Sequence, residues 1–544
     1  METVTIILAL LFAVVMSGVV SRLLPFPIPR PLVQIALGAA IGAVADWRVT
    51  LDPEIFFLLF LPPLLFLDGW RIPREELFKD GKTILELALG LVIFTVVGMG
   101  LFIHWMIPAM PLPVAFALAA VVSPTDPIAV SAIAQRVPIP KRMMHILEGE
   151  SLLNDASGLV CLRFAIAAAL TGVFSIQGAA LNFIWVAFGG IAIGAGVTFA
   201  IVAAKGWISA RFGEDSGSQI LISLLIPFAA YLVAEHLHCS GILAAVAAGL
   251  AMGFAENSGQ ALAATRIRRN TVWDAIQFTA NGVIFVLLGE QLPLILEGAA
   301  NTARMAGHAE PWWLAVYVIA INVGLGALRF AWVWISFRFT LLRTGQSRKT
   351  PEWRIVAAMS LAGVRGAITL AGVLTIPLAM TDGTAFPARD LAIFLAMGVI
   401  IVSLVVASIG LPWLLNGLQM PAEPSHQAEI EAARIAAARA AIAEVERVEH
   451  ALSEADGDAD IHVEVAARIM DIYRRRLETR TLVSEDAATA KRVDRLERDL
   501  RLAALRAERA EIFRRVRERE LGSEYAHKLI RELDLMEARY AVAT

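Results

Sequence analysis

From Glu2 onward the chain alternates long apolar stretches with short polar ones, and the apolar stretches are longer than a soluble core requires. Thirteen of them run over about 3–22, 31–47, 54–70, 83–107, 113–135, 148–173, 180–204, 217–237, 240–256, 272–296, 312–337, 355–380 and 390–419. A helix needs about 20 apolar residues to cross some 30 Å of hydrocarbon. The pattern therefore predicts an all-α polytopic membrane protein of about thirteen transmembrane helices. The first run carries Glu2 and meets no basic residue before Arg22. It lacks the basic start of a cleaved signal peptide and predicts an uncleaved helix with the N-terminus outside.

The pattern changes at Pro421, where sparse large apolar residues, alanines and Arg/Glu pairs take over. Two domains are expected: a membrane domain over 1–420 and a helical cytoplasmic tail over 421–544. Within the tail a break is expected at Glu454–Asp460, with Ser484 as an N-cap and Gly522-Ser523 as the stop of one helix and the cap of the next. Charge alternates along the faces of Arg492–Arg519, leaving Leu496, Leu500, Leu505 and Ile512 for packing. The tail reads as a bundle that packs on itself or on a twin subunit, and a regulatory role stays open.

Composition agrees: 57% of residues are hydrophobic, 18% are charged, and mean hydropathy is +0.66. A net charge of −3 points to no nucleic-acid partner, and Cys161 and Cys239 form no disulfide framework. The loop charges orient the spans. With the N-terminus outside, nineteen Lys and Arg fall in inner loops and only Arg48, Arg304 and Arg389 in outer ones. This is the asymmetry expected of cytoplasmic loops. Arg163, Arg329 and Arg365 remain inside spans, where a charge costs several kcal/mol and needs a partner or a wet cavity.

Three stretches carry candidate chemistry. Span five contains Ser123-Pro-Thr-Asp-Pro127, and two prolines three residues apart must open the helix. Opened backbone is tolerated at membrane depth only where it is buried in protein or lines a polar cavity. Thr125 and Asp126 are then either ligands, caps of the second half-helix, or both. Span six opens with Glu148-Gly-Glu-Ser-Leu-Leu-Asn-Asp155. Ser151 and Asp155 are four apart on one face, and Glu150 and Asn154 share a neighbouring face about 100° away. Asp155 with Ser151 is a candidate cation site beside Thr125, and Glu150 with Asn154 a separate hydrogen-bonded group. Span twelve carries Gly363-Val-Arg-Gly-Ala367, whose Arg365 needs a counter-charge. Glu150 is the expected partner, since Asp155 serves better left free to titrate. Arg163 is expected to line an outer path or to pair with Glu235 or Glu290. Leu61-Pro-Pro-Leu64 and Asp68-Gly-Trp70 read as a kink and a cap. Spans five and twelve, both interrupted and seven apart, predict two inverted six-helix repeats.

The Ser-Pro-Thr-Asp-Pro, Gly-Glu-Ser-Leu-Leu-Asn-Asp and Gly-Val-Arg-Gly-Ala elements, in that order, resemble the monovalent cation:proton antiporter-1 family over about residues 1–420. Leu61-Pro-Pro63 and Phe285-Val-Leu-Leu-Gly289 fit as well. The resemblance implies crossed broken helices and a core domain at about 83–173 and 312–419. It also implies an interface domain at about 3–70 and 180–296, homodimerisation, and a bacterial cell membrane as the location. Asp155 would carry the ion and the proton, helped by the Thr125 backbone, Ser151 and Asp126. Glu150 would pair with Arg365 and contact Asn154. Asn154 beside Asp155 resembles the electroneutral branch, so one monovalent cation is expected to exchange for one proton. Na+ is the expected cation, with Li+ and K+ as alternatives; no cofactor and no enzymatic activity are expected. Two rival readings remain: a passive cation channel, and a sensor acting through the tail.

Overall fold

A computed structural model describes residues 2–24, 28–44, 53–72, 81–126, 130, 141–172, 176–213, 215–256, 263–307, 310–343, 353–380, 382–416, 427–455, 459–481, 485–518, 520–521 and 523–541. The chain forms two compact units, Met1–Gln419 and Met420–Thr544. The first holds α1 (Glu2–Leu23), α2 (Arg30–Val44), α3 (Pro53–Arg71), α4 (Gly81–Met106), α5 (Leu112–Val122), α6 (Lys141–Thr171), α7 (Ile176–Phe212), α8 (Ser216–His236) and α9 (Gly241–Glu256). It continues through α10 (Ala263–Glu290), α11 (Leu292–Glu297), α12 (Ala299–Met305), α13 (Trp312–Arg343), α14 (Trp353–Leu361), α15 (Ala367–Leu374) and α16 (Arg389–Leu415). As far as they are described, the apolar stretches read from the sequence fall on these helices or on helix pieces; of span five, residues 127–129 and 131–135 lie outside the described residues. No strand occurs among the described residues, only an isolated bridge between Ala379 and Ala385.

Eight of these helices are long and apolar enough to cross a membrane. Between 22% and 56% of each apolar window is buried. The remaining faces, with Phe12, Trp105, Phe188 and Ile409 among them, turn outward. So large an apolar exterior is untenable in water and suits lipid. Inside, glycines set the helix spacing, because small residues let backbones approach where lipid gives no hydrophobic drive to associate. Gly38 and Gly42 of α2 sit against the α10 carbonyls of Val286 and Glu290, and Gly289 of α10 sits against that of Ile35. Gly69 and Gly249 lock α3 to α9 in the same way, through Val246 and Phe66. Trp273 of α10 stacks on Phe66 of α3 at 5.3 Å and donates its indole N–H to Ser223 Oγ at 3.2 Å. α2, α3, α9 and α10 thus form a tightly keyed wall.

Two helices are interrupted. The first stops at Val122, and residues 123–126 run without helical structure; Pro127 lies outside the described residues. The second stops at Leu361 and resumes at Ala367. α4 contains a π-helical turn over Glu86–Leu91, an irregularity the sequence did not announce.

The second unit contains α17 (Gln427–Ala455), α18 (Ala459–Thr481), α19 (Glu485–Arg517) and α20 (Ser523–Ala541). One helix ends at Ala455 and the next begins at Ala459, within the stretch read as a break, and residues 456–458, Ser484 and Gly522 lie outside the described residues. α19 is held to α20 by Arg509, which donates to Asp534 at 2.6 Å and pairs with Glu537. Leu505 is buried as expected; Leu496 and Leu500 are instead 59% and 63% exposed.

The wall's packing predicts a contrast between two glycines. Gly249→Val, whose Cβ would collide with the Phe66 carbonyl, costs about 1–3 kcal/mol through overpacking. Gly196→Ala, on α7 with nothing near, is neutral or stabilising by about 0.5–1 kcal/mol. Thermal unfolding of the detergent-solubilised protein separates the two.

Candidate functional site

A helix that stops inside an apolar domain leaves carbonyls and amides without intrahelical partners. Here the two interrupted helices supply each other's. The Asp126 amide donates to the Val364 carbonyl at 2.7 Å, joining one opening to the other. From the second opening, Arg365 Nε donates to the Val122 carbonyl at 2.8 Å and Nη1 donates to the Gly363 carbonyl, while the Arg365 amide donates to Ser403 Oγ at 3.2 Å. Arg329, on α13, donates its Nε to the Met359 carbonyl at 3.1 Å near the end of α14. Each interrupted helix therefore has an arginine at its carbonyl end, where the helix dipole favours a cation. Proline opens the first helix. The second opens at glycines, and these tertiary bonds hold it apart. Gly366 allows the close crossing, since a Cβ there would occupy the space of the Asp126 carboxylate.

Below this crossing lies a cavity of about 30 Å³. Thr125, Asp126, Ser151 and Asp155 all line it, so the four residues read as the cation site come together. Asp155 is 6% exposed. α6 approaches closely because Gly158 sits against the Pro124 ring and the Ala120 carbonyl. Glu150 and Asn154, expected as a separate hydrogen-bonded group, are joined through Thr125 of the cavity. Asn154 Nδ2 donates to Thr125 Oγ1 at 3.0 Å, and that hydroxyl donates to Glu150 Oε1 at 3.4 Å. The Thr125 hydroxyl is thereby committed to the scaffold.

Sequence reasoning missed the other side of the cavity. Asp68 of α3 and Asn281 of α10 line it too, with Thr369 of α15. Asp68, read as a cap, is instead a third carboxylate of the cavity. The signal was present: an acidic residue between Pro-Pro and a Gly-Trp pair in an apolar run is an intramembrane carboxylate, which is functional by default.

The expected Glu150–Arg365 pair is corrected. Glu150 takes a two-pronged ion pair from Arg329, through Nη1 and through Nη2 at 2.7 Å to Oε2. The glutamate is 1% exposed and the arginine 3%. Keeping Asp155 free to titrate leaves Glu150 as the expected partner of Arg365, but Arg365 faces the carbonyl end of α5, whereas unbroken α13 brings Arg329 alongside Glu150. Arg163 pairs with Glu235 at 2.9 Å, one of the two partners read for it. Both cysteines are free.

Comparison with known proteins agrees with this architecture. The family model described as sodium/hydrogen exchanger, transmembrane, matches residues 6–417. An uncharacterised Na+/H+ exchanger of Escherichia coli, YjcE, is 43% identical over 99% of both chains. A sodium, potassium, lithium and rubidium/H+ antiporter of Bacillus pumilus is 38% identical over 99% of this chain and 78% of its own. Among solved structures, the sodium proton antiporter MjNhaP1 of Methanocaldococcus jannaschii superposes with a TM-score of 0.57 at 20% identity, over 77% of this chain and 99% of that one. This last likeness is one of fold.

The buried pair yields a double-mutant cycle. Arg329→Met leaves Glu150 uncompensated and costs about 3–5 kcal/mol. The loss shrinks in a Glu150→Gln background, a coupling of about 0.5–3 kcal/mol. Arg365→Met couples more weakly to Glu150 on the same cycle, read by thermal unfolding in detergent.

Proposed function

This chain belongs to the sodium/hydrogen exchanger family, and on that premise we propose that it is a secondary active antiporter exchanging a monovalent cation for H+ across the cell membrane. The observation that carries the proposal is the cavity shared by Asp155, Asp126, Ser151 and Thr125 at the crossing of two interrupted helices. Carboxylates, a hydroxyl and backbone carbonyls are hard oxygen donors, which suit a dehydrated alkali cation. A cavity of about 30 Å³ matches one small ion or water rather than an organic solute.

Asp155 binds either the cation or a proton. With its hydroxyl held by Glu150 and Asn154, Thr125 contributes its backbone carbonyl, and Ser151 and Asp126 complete the set. Either load neutralises the Asp155 charge. The empty carboxylate must cross an apolar path as a bare charge, at a cost of several kcal/mol. Loaded forms therefore cross and the empty form does not, which enforces exchange and excludes leak. The moving body is a core of about 83–173 and 312–419. It works against an interface body of about 3–70 and 180–296 that also mediates homodimerisation. The topology is thirteen spans in two inverted repeats, N-terminus outside and tail cytoplasmic.

Na+ is the principal cation, with K+ and Li+ as further substrates; the name of the Bacillus pumilus relative supports the broader set. Exchange is one for one. Asn154 supports this, being neutral where a second aspartate would add a charge. Asp68 and Asp126 add a condition: one-for-one exchange requires that both keep their protonation through the cycle.

In proteoliposomes with a pH dye, Asp155→Asn abolishes ΔpH-driven exchange of Na+, K+ and Li+, and an imposed voltage leaves the wild-type rate unchanged. Persistent exchange in the variant sinks the assignment of Asp155. A voltage-driven rate sinks the stoichiometry.

A further inference from the structure

The cavity has two unlike sides. Thr125, Asp126, Ser151 and Asp155 come from the crossing and from α6, whereas Asp68 and Asn281 come from the keyed wall. Asn281 is the one amide among the lining residues, and no sequence motif contains it. Its side-chain oxygen is buried and accepts no hydrogen bond from any described residue. Leaving a buried acceptor unmatched is costly, so such an atom calls for an explanation in function or strain.

α10 is keyed to its neighbours through another face. Gly282, the next residue, sits against Val14 and Gln34, and Gly289 against the Ile35 carbonyl. These glycine contacts key α10 to α1 and α2. Asn281, turned about 100° from Gly282, is on the cavity side. Its helix is thus held by one face while the side chain lines the same cavity as Asp155, Asp126 and Asp68. An acceptor amid carboxylates attracts a cation and no anion.

We propose that Asn281 is a cation ligand contributed by the wall, and that its neutral oxygen sets the affinity for the cation relative to the proton. The inference rests on the reading of this cavity as the transport site. The chemistry separates the two loads. A proton on Asp155 is held by one O–H bond, whereas an alkali cation is held by many oxygens at once. Removing one neutral oxygen weakens the cation and spares the proton. Because the oxygen belongs to the wall, a core that moves against the wall leaves it behind. The cation then loses a ligand as the site turns, which aids its release.

The test compares Asn281→Leu, which keeps the shape and removes the oxygen, with Asn281→Asp, which keeps an oxygen. Exchange of Na+ and K+ is measured in proteoliposomes as a function of cation concentration and pH, beside Asp155→Asn. Asn281→Leu is expected to raise the apparent KM about tenfold, with the maximum rate and Tm retained. The acid limb of its pH profile moves to higher pH, because protons compete better against a weakened cation. Asn281→Asp is expected to keep KM within about threefold of wild type. A wild-type KM in Asn281→Leu, or a lowered maximum rate and Tm with KM unchanged, overturns the inference while an inactive Asp155→Asn leaves the transport-site reading intact. Exchange that survives in Asp155→Asn overturns that reading itself.

Discussion

Backbone amides and carbonyls in an apolar interior must find partners within the protein, because lipid supplies none. Two helices of this chain stop short of that requirement, and the rest of the membrane domain is arranged around how the debt is settled. The Asp126 amide meets the Val364 carbonyl, Arg365 takes the Val122 carbonyl, and Arg329 takes that of Met359. Each arginine carries a full charge into the interior. The Arg329 charge is balanced by Glu150, and Glu150 in turn fixes the Thr125 hydroxyl. A continuous chain of contacts therefore runs from the helix ends to the cavity.

This arrangement explains why so many polar and charged side chains can sit within a small volume without each being a ligand. Glu150, Asn154 and the two arginines are spent on holding the crossing. Asp155, Ser151 and Asp126 remain at the cavity, and Gly366 gives the Asp126 carboxylate its room. The wall of α2, α3, α9 and α10 is built by a different principle, glycine against carbonyl. The charged and amide side chains it brings to the cavity, Asp68 and Asn281, each directly precede a close-packed glycine, Gly69 and Gly282.

Much of this was legible in the sequence, and for physical reasons. Hydrophobic run length marks helices in lipid more sharply than it does in water. The Ser123–Pro127 stretch announces the opening after Val122, although Pro62, Pro63, Pro227 and Pro412 sit inside continuous helices, and i, i+4 spacing sorts Ser151 and Asp155 from Glu150 and Asn154. What periodicity cannot supply is which helices are neighbours. Arg329 had no motif around it, so its pairing with Glu150 was assigned to Arg365. Asp68 and Asn281 belong to spans three and ten, far in sequence from spans five and six, and only tertiary packing brings them to the same cavity. In the tail, Leu496 and Leu500 follow a helical apolar pattern yet stay exposed, since pattern does not say which stripe finds a partner.

The central claim is that a cation and a proton displace each other at Asp155. Calorimetric titration of the purified protein with Na+, K+ or Li+, in two buffers of different protonation enthalpy, tests it without transport. The account predicts about one proton released for each cation bound at a pH where the site is protonated, and no such release from a variant lacking the Asp155 carboxyl. Cation binding with heats that do not depend on the buffer would contradict it.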